Sequence, residues 1–194
     1  MRERGISHGF ACLIALALSG QAVGKDPVLV VRICNFSSAD TVLLFQAEAI
    51  ARRIFQDAGV DTEWTSGGDA RKLNPSILTV QILPGRSQRY DLKDAFGIAM
   101  MDQKAAPFLV DVFFGTIEEK ATTRNETGLI LGHVMAHEVG HLLLGAEHTP
   151  ETIMAGELSS RDLPGMKAGR LRFSKRQSER LRMTVALRQI TGSK

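Results

Sequence analysis

Apolar and polar residues along this chain follow two rhythms, a strand period of about two residues and a helix period of about 3.6. From Val28 to Asn35 the sequence VLVVRICN is rich in β-branched residues and predicts a first strand. Ser38 and Asp40 then offer N-caps for a helix from about Asp40 to Ala58, stopped at Gly59. Val42, Leu43, Ala47, Ile50, Ile54 and Phe55 recur at helical spacing within it. Val60 to Thr65 predicts a short strand, and Ile77 to Leu83 (ILTVQIL) another, closed by Pro84-Gly85. Gly97 to Met101 and Phe108 to Phe114 predict two more strands around a loop containing Pro107. A polar connection from Thr116 to Asn125 leads into a long helix, with Asn125 as its cap and Gly145 as its left-handed terminator.

Beyond Gly145 the pattern breaks into short, polar, turn-rich stretches through residue 172, with Pro150, Gly156, Pro164, Gly165 and Gly169. Ser174 and Gln177 form a capping box for a last helix to about Gln189. The order β-α-β-β-β-β-α, loop, α predicts an α+β fold, a twisted mixed β-sheet backed by helices. Residues 25–145 would supply the sheet and long helix, and residues 146–194 a small C-terminal lobe of the same domain.

Composition changes this picture little. Hydrophobic residues make up 44% and charged residues 23%, as in ordinary soluble domains. A net charge of +3 is too mild to indicate nucleic acid, and no nucleic-acid-binding motif appears. The N-terminus differs in kind. Arg2 and Arg4 precede the apolar run Phe10 to Leu18, and Ala22-Val23-Gly24 supplies a small-x-small site. Those are the parts of a secretory signal peptide over residues 1–24, and the run is shorter than a membrane span. The expected mature chain is exported, periplasmic or secreted, without an integral membrane segment, and monomeric. Cys34 would be its sole cysteine, which excludes an internal disulfide and reads as a buried small hydrophobe.

The candidate chemistry lies in the long helix. His133, His137, His141 and His148 fall within a short stretch that core packing does not require. Among them His137-Glu138-Val139-Gly140-His141 is an H-E-x-x-H. Residues four apart share a helix face, so His137 and His141 can reach one metal ion. Glu138 is rotated by about 100° and can face a water on a Zn²⁺ ion without ligating it. Zinc acidifies its water, and a carboxylate can take that proton as the water attacks a polarised carbonyl. A third ligand is required, and His148 is the leading candidate because Gly145 lets the chain turn back. Glu147, Glu151, Glu157 and Asp162 are the alternatives. His133, one turn before His137, reads as a packed histidine.

The resulting pattern, H-E-x-x-H-x-x-x-G-x-x-H followed by Ile153-Met154, resembles the metzincin clan of zinc peptidases. That clan spaces its second histidine and glycine one residue closer, and its motif precedes a methionine turn beneath the metal. The resemblance covers His137 to Met154. It implies a zincin-like fold, one catalytic zinc on His137, His141 and His148, Glu138 as general base and Met154 as floor. It also implies that a short edge strand, Gly97 to Met101, pairs with an extended peptide or protein substrate. The competing reading is an exported zinc-binding domain or pseudo-peptidase that acts by binding. Glu138 favours catalysis, since a structural zinc gains nothing from a neighbouring carboxylate. The basic residues Lys167, Arg170, Arg172, Lys175, Arg176, Arg180, Arg182 and Arg188 read as a solvated face.

Overall fold

The apolar run Val28–Asn35 forms strand β1, and the following polar turn feeds helix α1 (Thr41–Asp57). The structure is a computed structural model describing residues 28–67, 77–85, 95–100, 108–156, 158 and 160–192. The expected leader at 1–24, Met101, Pro107 and Glu157 lie outside the described residues. Asp40 caps α1, its carboxylate accepting from Leu43 N–H at 3.0 Å. Strands β2 (Asp61–Ser66), β3 (Leu78–Leu83), β4 (Gly97–Met100) and β5 (Leu109–Phe113) complete a five-stranded sheet in the order β2-β1-β3-β5-β4.

The sheet is mixed and mostly parallel. β1 lies parallel to both β2 and β3, and β3 parallel to β5. Only β4 runs antiparallel, on β5, and it forms one edge. The register places Leu29, Val31 and Ile33 of β1 on one face with Leu78, Val80 and Ile82 of β3 and Val110 and Val112 of β5. These side chains are buried in one core with Leu43, Ala47, Ala51, Ile54 and Phe55 of α1. Val42, expected in that core, is 70% exposed. The buried stripe runs through Leu43, Ala47 and Ala51, and Val42 is one residue off it. Cys34 is buried, as expected.

The segment after β5 departs from expectation. Phe114 is not a strand residue but opens helix α2 (Phe114–Lys120), which buries Phe114, Thr116 and Ile117. Two turns are too few for a helical period to stand out in a sequence, so this stretch reads as a connection. Helix α3 (Arg124–Leu144) follows and is capped by Thr123, not Asn125: the Thr123 hydroxyl accepts from Glu126 N–H at 3.2 Å. Short helix α4 (Leu163–Lys167) and the long C-terminal helix α5 (Lys175–Gly192) close the chain. The Ser174–Gln177 capping box is present, with Ser174 N–H donating to Gln177 Oε1 at 2.8 Å and Gln177 N–H to Ser174 Oγ at 3.3 Å. Among the described residues no helix is long and apolar enough to cross a membrane.

α3 is buried on nearly every side, which makes it the central helix of the molecule. Its glycines allow this. A Cβ on Gly132 would lie 2.7 Å from Ala47 O and 2.7 Å from Ile50 Cβ of α1. Gly132→Ala is therefore expected to force α1 and α3 apart and cost about 1–3 kcal/mol. A urea midpoint equal to wild type would contradict that packing.

The basic C-terminal segment is more than a solvated face. Arg180 donates to Leu144 O at 2.7 Å and Arg182 to Ala58 O at 2.8 Å, which ties α5 to the ends of α3 and α1. Lys167 Nζ pairs with Glu126 Oε1 at 2.7 Å, and the other carboxylate oxygen accepts from Thr122 N–H at 2.9 Å and from the Thr122 hydroxyl. The Lys167 bond, first, and the Thr122 bonds hold the Glu126 carboxyl down to about 2. A depressed carboxyl stabilises the fold above its unfolded value of 4.5 and loses that contribution as pH falls toward about 2. Glu126→Gln should therefore lower the thermal midpoint at pH 7, with the gap to wild type closing between pH 4.5 and 2. A gap that persists unchanged at pH 2 would show that the ion pair is not its source.

Candidate metal centre

His133, His137 and His141 occupy successive turns of α3, and all three are buried. Only two of them meet. His137 Nε2 and His141 Nε2 lie 3.0 Å apart. His148 joins them from the loop after α3, and one ligand atom from each of the three rings falls within 4.8 Å of the others. The ring centroids are 4.6 Å apart for His137 and His141, 4.9 Å for His141 and His148, and 5.8 Å for His137 and His148. His148 is exposed, so the cluster has one open side. Among the described residues no carboxylate joins the group, Glu147, Glu151 and Asp162 included.

Local backbone produces this convergence. Gly145 has φ 96° and ψ −178°, a region that excludes side chains, and its N–H still donates to His141 O at 2.9 Å. The extra residue between His141 and the glycine is thus absorbed by one more helical position, after which the chain reverses. The loop then folds on itself: Thr149 N–H donates to Met154 O at 2.7 Å, and Thr152 Oγ1 donates to Thr149 O at 2.9 Å. Glu151 takes a left-handed φ of 62° within this turn. Met154 is fully buried against α3, where a Cβ on Gly140 would lie 2.6 Å from its sulfur.

The same loop fixes the imidazoles. His137 Nδ1 bonds Ile153 O at 2.7 Å, and His141 Nδ1 bonds Gly145 O at 2.9 Å. A carbonyl can only accept, so each Nδ1 carries the proton and each Nε2 turns a lone pair to the centre. Burial, above all, lowers the His137 pKa to about 4, with the neighbouring imidazoles adding to it, and burial lowers that of His141. Both rings are therefore neutral near pH 7, the form that ligates metal. Two lone pairs facing each other at 3.0 Å repel unless a cation sits between them. Tetrahedral zinc with Zn–N bonds of about 2.0–2.1 Å holds its nitrogens about 3.4 Å apart, near the 3.0 Å between His137 Nε2 and His141 Nε2. The donor set fits a Zn²⁺ ion.

Glu138 points elsewhere. It is 7% exposed and lies against β4, with the Ala99 N–H facing its carboxylate. Burial pushes its pKa up to about 8, and the Ala99 N–H offsets only part of that. A cation at the three imidazoles would draw it back down. His133 stays outside the cluster, with Nδ1 on Leu129 O at 2.8 Å, the packed role expected for it.

No family model matches this chain, and no curated protein matches it. Solved structures do. An archaemetzincin from Methanopyrus kandleri superposes with a TM-score of 0.60 at 13% identity, over 85% of this chain and 99% of that one. A zinc-dependent peptidase from Methanocorpusculum labreanum gives 0.55 at 14% identity, over 78% and 99%. Metalloproteinase-II from Bacteroides fragilis gives 0.50 at 15% identity, over 82% and 53%. The fold is one that zinc-dependent peptidases use. At such identities the likeness concerns the fold, and the site must be argued from its own residues.

Sequence reasoning named the histidines and Glu138 but missed the glycines that shape their surroundings. Gly140 admits the Met154 sulfur, Gly132 admits α1, and Gly97 admits Glu138. Their signal was available: glycines at positions 128, 132 and 140 inside a helix each cost about 1 kcal/mol against alanine, which argues for close contacts.

Proposed function

We propose that this chain is a metzincin-type zinc peptidase, exported by its N-terminal segment, that hydrolyses peptide bonds in peptide or protein substrates. His137, His141 and His148 hold one zinc ion, Glu138 is the general base, and Met154 floors the site. The observation that carries this reading is the convergence of three imidazoles on one point, open on the His148 side, beside a buried carboxylate that does not join them.

Zinc in that position would supply Lewis acidity, polarising a carbonyl and lowering the pKa of water. The residues of the chain do the rest. Ile153 O and Gly145 O keep the His137 and His141 lone pairs inward. Glu138 takes a proton from the attacking water and passes it to the departing amine nitrogen. One C–O bond forms, the C–N bond breaks, and Glu138 ends as it began. β4 is the edge strand among the described residues, and an extended substrate would pair along it. A purely structural site is more often closed by a fourth protein ligand. None is present among the described residues.

The test is cleavage of an unfolded protein such as casein. Chelation should abolish cleavage, and added zinc should restore it. Cleavage indifferent to chelator would refute a metallopeptidase. A zinc-loaded chain that cuts nothing would move the weight to the binding-domain reading.

A further inference from the structure

Glu138 and β4 lie closer together than a side chain on that strand would permit. A Cβ on Gly97 would be 2.8 Å from Glu138 Cγ, 3.0 Å from Glu138 Oε1 and 2.9 Å from Asp111 O. The backbone pattern of β4 adds a second observation. Antiparallel pairs alternate between hydrogen-bonded and non-hydrogen-bonded positions. Phe113 N–H donates to Phe96 O at 2.7 Å, so the register makes Phe96 and Phe113 a bonded pair. Gly97 opposite Val112 and Ala99 opposite Val110 are then unbonded pairs, so the N–H and C=O groups of Gly97 and Ala99 point away from β5, out of the β4 edge. Ile98, opposite Asp111, turns its own groups inward to β5. On that side of the strand the Ala99 N–H faces the Glu138 carboxylate.

We propose that Gly97 and Ala99 are positioning residues for Glu138: the bare Cα of Gly97 makes room for its side chain, and the outward N–H of Ala99 fixes one carboxylate oxygen. The edge strand thereby holds the base as well as offering itself to substrate. Two α3 residues beside each other are oriented by different parts of the chain, His137 by the Ile153 carbonyl and Glu138 by β4. The link from sequence to catalysis at position 97 is one of space alone, since no left-handed backbone is required there. The catalytic part of this inference rests on the peptidase reading above; the contact itself does not.

The two are separated by measuring amide exchange on the full chain, with zinc bound and after chelation. The Ala99 amide should be protected in wild type despite its place on an open edge. Glu138→Ala should lower its protection by about tenfold, the loss of one hydrogen bond, while Ile98 stays protected. Glu138→Gln, which retains an acceptor oxygen, should preserve it. Gly97→Ala should mimic Glu138→Ala at Ala99 and leave Ile98 protected, with zinc content and KM kept and kcat lowered about 100-fold. An unprotected Ala99 in wild type, or one indifferent to Glu138→Ala, overturns the proposal. So does a Gly97→Ala protein in which Ile98 and Ala99 lose protection together, because the glycine would then serve only the strand pairing. If wild type cuts no peptide, the peptidase reading fails while the exchange data still decide the contact.

Discussion

Glu138→Gln is expected to lower peptide turnover by about 10²–10⁴-fold while the protein still binds zinc as wild type does. The substitution keeps the side chain's shape, and a carboxamide oxygen can still accept from Ala99 N–H. What it removes is the capacity to take a proton. Nothing about the metal ligands changes, because His137 and His141 are oriented by carbonyls of Ile153 and Gly145 rather than by Glu138. The loss should fall on kcat, since a base acts in the transition state more than in binding. Steady-state kinetics and zinc content on the same sample give the answer. Turnover close to wild type would remove Glu138 from the reaction; loss of zinc with it would make Glu138 part of the metal's environment instead.

The second large effect concerns His148. His148→Ala should weaken zinc binding by more than about 100-fold, because loss of an outer hydrogen-bond partner alone costs 10–100-fold and a direct ligand counts for more. This histidine comes from a loop, not from α3, and its place depends on the reversal at Gly145 and the turn from Thr149 to Met154. Glu147→Ala and Glu151→Ala should leave affinity unchanged, since neither carboxylate joins the three imidazoles. Competition against a chromophoric chelator measures all three. Unchanged affinity in His148→Ala, with a loss in either glutamate variant, would hand the third position to a carboxylate.

Much of this was legible before any coordinates. The strands at Val28–Asn35 and Leu78–Leu83 stand out as short runs rich in β-branched and aliphatic residues. α1 carried its cap, terminator and period, and α3 its terminating Gly145. The H-E-x-x-H spacing is informative because a helix converts four residues of separation into one shared face. What stayed hidden was set by tertiary contact. Strand direction leaves no mark in local sequence, so the mostly parallel sheet was not foreseen. α2 is too short to show a period, and α3 is capped by Thr123, whose hydroxyl accepts from Glu126 N–H. Glu138 packs against Gly97 on a strand about 40 positions away, which no side-chain pattern encodes.

The proposed chemistry requires a zinc ion held by three imidazoles with one position left open. Zinc-edge X-ray absorption on the purified, zinc-loaded chain reads that shell. Three histidine nitrogens at about 2.0–2.1 Å and one oxygen are expected, with one histidine fewer in His148→Ala. A shell closed by a fourth protein ligand, or a chain that takes up no zinc even when the metal is supplied, would contradict it.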